Sequence, residues 1–486
     1  MFEQLIAYQA GQQPDAAALV HGGDSFTFAR MAADIGRCAA WLATLDLPLD
    51  ARALVCTPHP YLHWVLTFAL EQNGLVSACS ATAEDIPRDI VLLKPQALFA
   101  SAPPAGPPEV PTYRIDQAWI DALWAHAPTT ARRRPRRKDD PCRIIVTSGT
   151  TGSPKKILLT REVIDVQTGA LLFNQFYVRP RLRAAATVGA GSIGGLKTSL
   201  LCWAQGGTMC HPDPAMGWAP ALDALQINLI RLAPHHLQTL LRALPGDAAP
   251  RPDLIVGIIG GSISKALAEE TRARLSGNIV VNYGSTEAGA TALGRLADMA
   301  GAEDAAGFVC PWAEVQILGP EGEVLPAGQV GEIRIGGAGL VDGYMDDPAA
   351  TAQMFRAGWF WPGDLGVIDP RGLLRVVGRT NDLMNVGGAK FLASRLEALV
   401  LAVEGVSDAA VFLAPDADGL DAPHVAYVAE DGLDLAALGR VIDGALGRPA
   451  RLLRVAQTPR NAMGKIQRDR LRQMLAEEPG QASILL

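Results

Sequence analysis

The segment Thr147-Ser148-Gly149-Thr150-Thr151-Gly152-Ser153-Pro154-Lys155-Lys156 concentrates hydroxyls, glycines and a cationic end directly after the apolar run Arg143-Ile144-Ile145-Val146. Glycines let a backbone approach a ligand closely, hydroxyls and free N–H groups can ring phosphate oxygens, and Lys155 supplies a point charge. The spacing is not that of a Walker loop, which needs four residues between its glycines and Lys-Ser/Thr after the second. Phosphate handling is the expectation; the bland alternative is a plain Ser/Thr/Gly turn. A second candidate, Gly189-Ala190-Gly191-Ser192-Ile193-Gly194, follows the strand-like run Ala185-Ala186-Thr187-Val188 and spells G-x-G-x-x-G, with Asp213 about where a ribose-binding acid would stand. An NAD(P)-dependent oxidoreductase is therefore a rival reading, although such fingerprints arise often in glycine-rich chains. His235 and His236 invite a metal or acid–base role. Adjacent helical positions point ~100° apart, however, so helix surface and packing are expected of them.

These residues need elements to hold them. Helical spacing over Phe28 to Leu45 (Met31, Ile35, Cys38, Trp41, Leu42) leads to a short buried strand at Ala53–Cys56, then to a helix at Tyr61–Gln72 and an extended stretch at Leu75–Ala78. Such alternation favours a mostly parallel sheet covered by helices. Ser101 to Pro111 reads as a surface loop. Further strand-like runs are Leu254–Ile259 and Ile279–Val281. Beyond ~310, Glu314–Ile317, Gly331–Ile335 and Leu373–Val377 alternate with the turns Gly319–Gly322 and Asp369–Gly372, a pattern of antiparallel hairpins. The tail from ~380 returns to mixed helix and strand.

Composition narrows the classes. A chain of 486 residues has room for two to four folding units at roughly 100–200 residues each. Hydrophobic residues at 49% and charged residues at 19% make a globular balance, and a net charge of -7 does not favour nucleic acid. No apolar run is long enough for a membrane span, and the start lacks a secretory pattern, so a cytoplasmic location is expected. Seven cysteines without a Cys-x-x-Cys pair read as free thiols in a reducing compartment. The basic run Arg132-Arg133-Arg134-Pro135-Arg136-Arg137-Lys138 is either a solvated linker or a landing patch for an acidic partner or cofactor phosphates.

The Thr147–Lys156 loop resembles the phosphate-binding signature of the adenylate-forming, or AMP-binding, enzymes: acyl-CoA synthetases, nonribosomal-peptide adenylation domains and luciferases. The resemblance recurs in order along the chain. Asn282-Tyr283-Gly284-Ser285-Thr286-Glu287 is similar to the family's Tyr-Gly-x-Thr-Glu element, in which Tyr stacks on adenine, Asn reads the exocyclic amine, Thr binds a phosphate oxygen and Glu holds Mg²⁺. Gly358 to Gly366 resembles the next element, whose acid, here Asp364, takes both ribose hydroxyls. Gly378-Arg379-Thr380-Asn381-Asp382 resembles the hinge segment; Arg379 would bridge ribose and phosphate, and Asn381 stands at a pivot where the family usually carries Asp or Lys. Gly387-Gly388 would line the thiol tunnel, and Lys465, within Asn461–Arg468, would stabilise charge on the carboxylate and α-phosphate.

The resemblance implies an α/β fold: a large N-terminal AMP-binding domain, 1–380, of two α/β layered subdomains plus a distorted β-barrel, and a small mobile C-terminal α+β cap, 381–486. It implies ATP and Mg²⁺, with Lys465, Thr286 and Glu287 catalytic, and coenzyme A or a carrier-protein phosphopantetheine as acceptor. Residues Ser148 to Gly152 would cradle phosphates, and Gly260-Gly261-Ser262 would wall the adenine and acyl group. Gly189, Gly191, Ser192, Gly194 and Gly284 would line the acid-binding pocket. No acid lies between Ala184 and Thr198 to pair an α-amino group, which argues for an uncharged acyl or aryl acid over an amino acid. Glycines in place of a bulky gate suggest space for a ring or longer chain. An acyl carrier protein would have to come in trans, and the oligomeric state is left open.

Overall fold

The structure, a computed structural model, describes residues 2–103, 110–133, 135, 137–147, 154–174, 176–299, 305–386, 389–415, 421–429, 431–447, 450–460 and 466–477. They fall into two compact units: Met1–Val315 with Ile335–Phe360, and Gln316–Arg334 with Trp361–Leu486.

The first unit holds two helix-covered sheets. In one, strands Thr112–Arg114, Ala97–Ala100, Arg52–Cys56, Val76–Cys79 and Pro141–Thr147 run parallel in that spatial order, and Lys155–Thr160 closes the edge antiparallel. The Pro141–Thr147/Lys155–Thr160 hairpin is what presents the hydroxyl-rich loop. In the other, Thr208–His211, Arg183–Ala186, Leu229–Leu232, Ile255–Ile258 and Asn278–Ser285 are parallel neighbours, flanked by the Ala17–His21/Asp24–Thr27 hairpin and by Gly289–Arg295. Its central strands Leu229–Leu232 and Ile255–Ile258 are buried along their whole length, as parallel strands covered on both faces must be.

Helix Phe28–Ala43 starts where Thr27 Oγ1 accepts from the Arg30 N–H, and helix Pro60–Gln72 begins on a proline whose fixed φ suits a first turn. Helix Pro60–Gln72 is buried almost throughout. Its Trp64 and Phe68 meet Trp203 edge to face at ring-centroid distances of 5.3 and 5.6 Å, and Trp203 Nε1 donates to the Ala18 carbonyl. That cluster welds the two helical layers into one core.

The expected helices and strands are present with most ends shifted by no more than two residues, while the strand expected at Ile279–Val281 extends four residues farther, to Ser285. The expected strand at Ala185–Val188 occupies Arg183–Ala186 instead, because Thr187 and Val188 already enter the glycine turn. Residues 104–109 of the expected surface loop lie outside the described residues.

The second unit pairs Asp364–Ile368 with Leu373–Arg379 around the Asp369–Gly372 turn, and Gly331–Glu332 with Leu365–Gly366. Farther along, strands Val406–Pro415, Asp421–Ala429 and Arg451–Arg454 form a sheet whose faces are covered by helices Ala393–Leu401, Leu435–Leu446 and Arg468–Glu477. All seven cysteines are free thiols, six of them buried. No described helix is long and apolar enough to cross a membrane. Part of the basic run is tied down: Arg133 donates to the Leu47 carbonyl, Arg137 pairs with Asp139 and Lys138 with Glu162. Those contacts favour a held linker over an open landing patch.

Candidate functional site

Strand Asn278–Ser285 carries the tyrosine element to its carboxyl end, next to the antiparallel Gly289–Arg295. The turn between them is tight. Gly289 takes φ +74°, and a Cβ on Gly284 would lie 2.1 Å from the Gly289 carbonyl oxygen, so only glycine fits at 284. Ser285 Oγ accepts from the Ala288 N–H, and Gln167 Nε2 donates to the Thr286 carbonyl at 3.5 Å and to the Gly339 carbonyl at 2.7 Å, which ties the turn to the helix Arg161–Phe173. Thr286 is buried. The Asn282 Oδ1 is buried and has no hydrogen-bond donor among the described residues, which leaves an acceptor for an exocyclic amine.

Glu287 is held from the far side. The Tyr344 hydroxyl donates to Glu287 Oε1 at 2.9 Å, and the Val341 N–H donates to the Glu287 carbonyl. Burial and the neighbouring carboxylate push the Tyr344 phenol above its ordinary value, so it stays a donor. A carboxylate oriented in this way fits Mg²⁺, an ion that takes one or two carboxylates and completes its shell with phosphate oxygens and water. Tyr344 also places its ring 6.0 Å from Lys155 Nζ, so Lys155, Tyr344 and Glu287 form one connected group. Tyr344 stands outside the recognised motifs, and nothing in the sequence marked it.

Lys155 ends on Asp347 Oδ2 at 2.6 Å, and Lys156 on Asp346 Oδ2 at the same distance. The expectation of an open phosphate charge at Lys155 therefore needs an exchange of partners. Asp347 is also the N-cap of helix Pro348–Met354, accepting from the Ala350 N–H, and Lys155 with that N–H holds its carboxyl below the usual range. Thr147 closes the hairpin opposite Lys155. Ser148, Gly149, Thr150, Thr151 and Gly152 lie outside the described residues.

The Gly189–Gly194 turn differs from its sequence reading in two ways. Ser192 Oγ caps helix Ile193–Ala204, accepting from the Gly195 N–H at 3.1 Å and donating to the Gly189 carbonyl at 2.7 Å. The N–H that a dinucleotide pyrophosphate would need is thus already satisfied. The glycines are also not all open space. A Cβ at Gly191 would lie 2.9 Å from Cys79 Sγ, and one at Gly194 3.0 Å from Ile259 Cδ1, whereas Gly189 meets nothing within 4 Å. Gly260, at φ +75°, Gly261 and Ser262 are exposed at the end of strand Ile255–Ile258, and a Cβ on Gly261 would touch Pro234. His235 and His236 sit in the first turn of helix Pro234–Ala243 with ring centroids 4.0 Å apart, closer than their angular separation suggested, and His236 Nδ1 lies 2.7 Å from Thr187 Oγ1. They are partly buried and packed, as expected, and burial followed by His235 lowers the His236 pKa.

In the second unit Asp364 is buried, with Oδ1 3.3 Å from Arg379 Nε, and both the Thr380 N–H and its hydroxyl donate to the Gly363 carbonyl. Asn381 lies in the 3₁₀ turn Thr380–Asp382. Gly387, Gly388 and Lys465 are outside the described residues. The flanks of Lys465 are described: Arg460 and Ile466 form an antiparallel bridge, and the Gln467 N–H donates to the Pro459 carbonyl. Arg468, part of the same motif but assigned no role from sequence, reaches Asp382 at 3.0 Å, Glu397 at 2.8 Å and the Val411 carbonyl. Burial raises the Glu397 pKa and Arg468 opposes it. Arg468 thereby anchors the base of the Lys465 segment beside the turn that carries Asn381.

Known proteins resemble this chain in sequence and in fold. A feruloyl-CoA synthase of an Amycolatopsis species is 28% identical over 445 residues, 87% of this chain and 88% of that protein. A fatty acid–[acyl-carrier-protein] ligase of Mycobacterium marinum is 27% identical over 516 residues, 96% of each. Among solved structures, ATP-bound MatB from Rhodopseudomonas palustris superposes with a TM-score of 0.84 at 23% identity, over 98% of this chain and 99% of that one. The o-succinylbenzoate CoA synthetase of Bacillus subtilis, in complex with its acyl-adenylate intermediate, gives 0.83 at 21%, over 96% and 97%. The family model for AMP-binding enzymes matches residues 6–345, and the chain, with its large α/β N-terminal part and smaller C-terminal part, belongs to that family.

Proposed function

We propose that the protein activates a carboxylic acid with ATP and passes the acyl group to a thiol. The carboxylate oxygen attacks the α-phosphorus and pyrophosphate leaves, giving an acyl-adenylate. The thiol sulfur, of coenzyme A or of a carrier protein's phosphopantetheine, then bonds to the acyl carbon as AMP departs, and the thiol proton passes to solvent. The observation that carries this reading is the connected group Lys155–Tyr344–Glu287 beside the unsatisfied Asn282 carbonyl, at the carboxyl edge of a parallel sheet, where ligands of such sheets bind. Mg²⁺ on Glu287 would supply neutralising charge at the pyrophosphate oxygens. The chain's own part is positioning: Asn282 and Tyr283 seat the base, Thr286 and the loop from Thr147 to Lys155 seat phosphates, and Asp364 with Arg379 seats the ribose.

Lys465 completes charge neutralisation in the first step. A cap comprising 381–486 would rotate about Asn381 to bring Gly387-Gly388 to the thiol in the second. The relatives include both a CoA synthase and a carrier-protein ligase, so both acceptors belong to the reading, with a carrier protein arriving in trans. Free cysteines and a net charge of -7 agree with cytoplasmic work without nucleic acid. Pyrophosphate release with a hydroxylamine trap tests the first step. Lys465→Ala should lower it by about a hundredfold or more while ATP still binds. Undiminished release would overturn the assignment.

A further inference from the structure

Two cations beneath the glycine turn have no part in the reading above. Lys197 lies on helix Ile193–Ala204 and Arg231 on strand Leu229–Leu232; they are 7% and 2% exposed. Arg231 Nη1 donates to Thr198 Oγ1 at 3.2 Å, and that hydroxyl donates to the Gly194 carbonyl at 2.7 Å. The guanidinium carbon is 5.3 Å from the centroid of the Tyr177 ring. Gly257, opposite Arg231 in the sheet, gives the arginine stem its room, since a Cβ there would lie 3.0 Å from Arg231 Cγ. Arg231 Nε is buried with no acceptor among the described residues. No described carboxylate pairs with either side chain; the charged and titratable groups that act on the two are each other and Tyr177. Burial first, then the Arg231 guanidinium, pushes the Lys197 ammonium down to about 7.

Two other buried arginines also carry an Nε with no acceptor among the described residues, so the contrast with Arg231 lies in their other contacts. Arg161 meets Glu71 at 2.7 Å, and Arg143 donates to the Ala190 carbonyl at 3.0 Å and to Ser77. Two like charges buried together without a counter-charge are costly, and a fold keeps them where a ligand supplies the missing charge. Their depth suits that role. Arg231 stands in register with Ala186 and Gly257, and Gly257 with Val280. That row is two to three residues short of Gly189, Gly260 and Asn282, or about 7–10 Å below the rim at ~3.3 Å per residue.

The geometry points to an anion-binding floor in the acid pocket: the acid activated is a dicarboxylic acid whose distal carboxylate sits between Lys197, Arg231 and Thr198. The proximal carboxylate stays at the rim to meet the α-phosphate. This deepens the acid-activating reading and rests on it, and it narrows the non-amino acid expected from sequence to one with a second carboxylate. Charge-assisted bonds from a lysine and a planar guanidinium are the means by which proteins hold a carboxylate out of water.

The experiment measures pyrophosphate release for acids paired by length and shape: glutarate with pentanoate, adipate with hexanoate, terephthalate with benzoate. The wild type should favour the dicarboxylate of at least one pair by tenfold or more in kcat/KM. Lys197→Met and Arg231→Met should each raise the KM for that dicarboxylate at least tenfold and shift the ratio towards its monocarboxylate partner. Melting of the acid-free Lys197→Met protein should move upward, because an uncompensated charge has left the interior. Preference for the monocarboxylates would overturn this inference and leave the ligase reading standing. So would variants that slow both members of a pair by the same factor with a lowered melting point, the mark of a purely structural pair. Silence from the wild type with every acid would overturn the ligase reading and this inference together.

Discussion

The chain treats two pairs of cations in opposite ways. Lys155 and Lys156 sit at the edge of one sheet, each 2.6 Å from its own aspartate, Asp347 and Asp346. Lys197 and Arg231 lie inside the other α/β layer with no described carboxylate near them. The aspartates of the first pair are 34% and 54% exposed, so solvent reaches these ion pairs and weakens them. The second pair is buried, and no described carboxylate acts on it. The lysines at the sheet edge are held by the protein's own acids, whereas the buried pair has none among the described residues.

The largest effect should come from supplying the absent charge. Lys197→Glu places a carboxylate beside Arg231 and should cut kcat/KM for a dicarboxylic acid by about a hundredfold or more, since the arginine is then satisfied and the ligand repelled. Retained turnover would break the contrast. Next is the exposed pair: Lys155→Met should lower kcat/KM about tenfold with ATP varied, the loss of one phosphate contact. Asp347→Asn, which keeps the helix cap, should stay within about twofold. If both substitutions cost the same, Lys155 serves only the aspartate.

The pH dependence of stability separates the pairs again. A lysine lowered from 10.5 to about 7 in the folded state binds fewer protons there than in the unfolded chain between those values. Stability should therefore climb with pH from about 7 to about 10.5, at up to about 1.4 kcal/mol per pH unit from this group. Urea midpoints across that window should show the climb, and Lys197→Met should flatten it. The smallest effect belongs to Lys156→Met, whose pairing with a half-exposed aspartate should move stability by less than about 1 kcal/mol.

Much of the fold and the nucleotide site was legible in the residues. Alternating apolar runs placed helix Phe28–Ala43 and strands Arg52–Cys56 and Ile255–Ile258, because burial on one face or both writes its period into the chain. The tyrosine element and Asp364 could be singled out because the residues that resemble the family sit close together in the chain. Misreadings arose where neighbours distant in sequence decide. Gly191 looked like an opening, yet Cys79 fills the space beside it. Ser192 was expected to line the pocket, and the structure adds that its hydroxyl caps a helix. Arg468 looked incidental, yet it binds Glu397, 71 residues away.

What the sequence determined by itself is therefore the order and chemistry of the local motifs, and through them the family and the use of ATP. Tertiary structure alone decided which charges are paired. Lys155 finds Asp347 from 192 residues away, and Arg231 finds Thr198 across 33 with Lys197 beside it. A charge's worth depends on burial and on what lies across from it, and both are set by the packing of separate elements. For that reason the local motifs could be read from the chain, while the pairing of its charges had to wait for the fold.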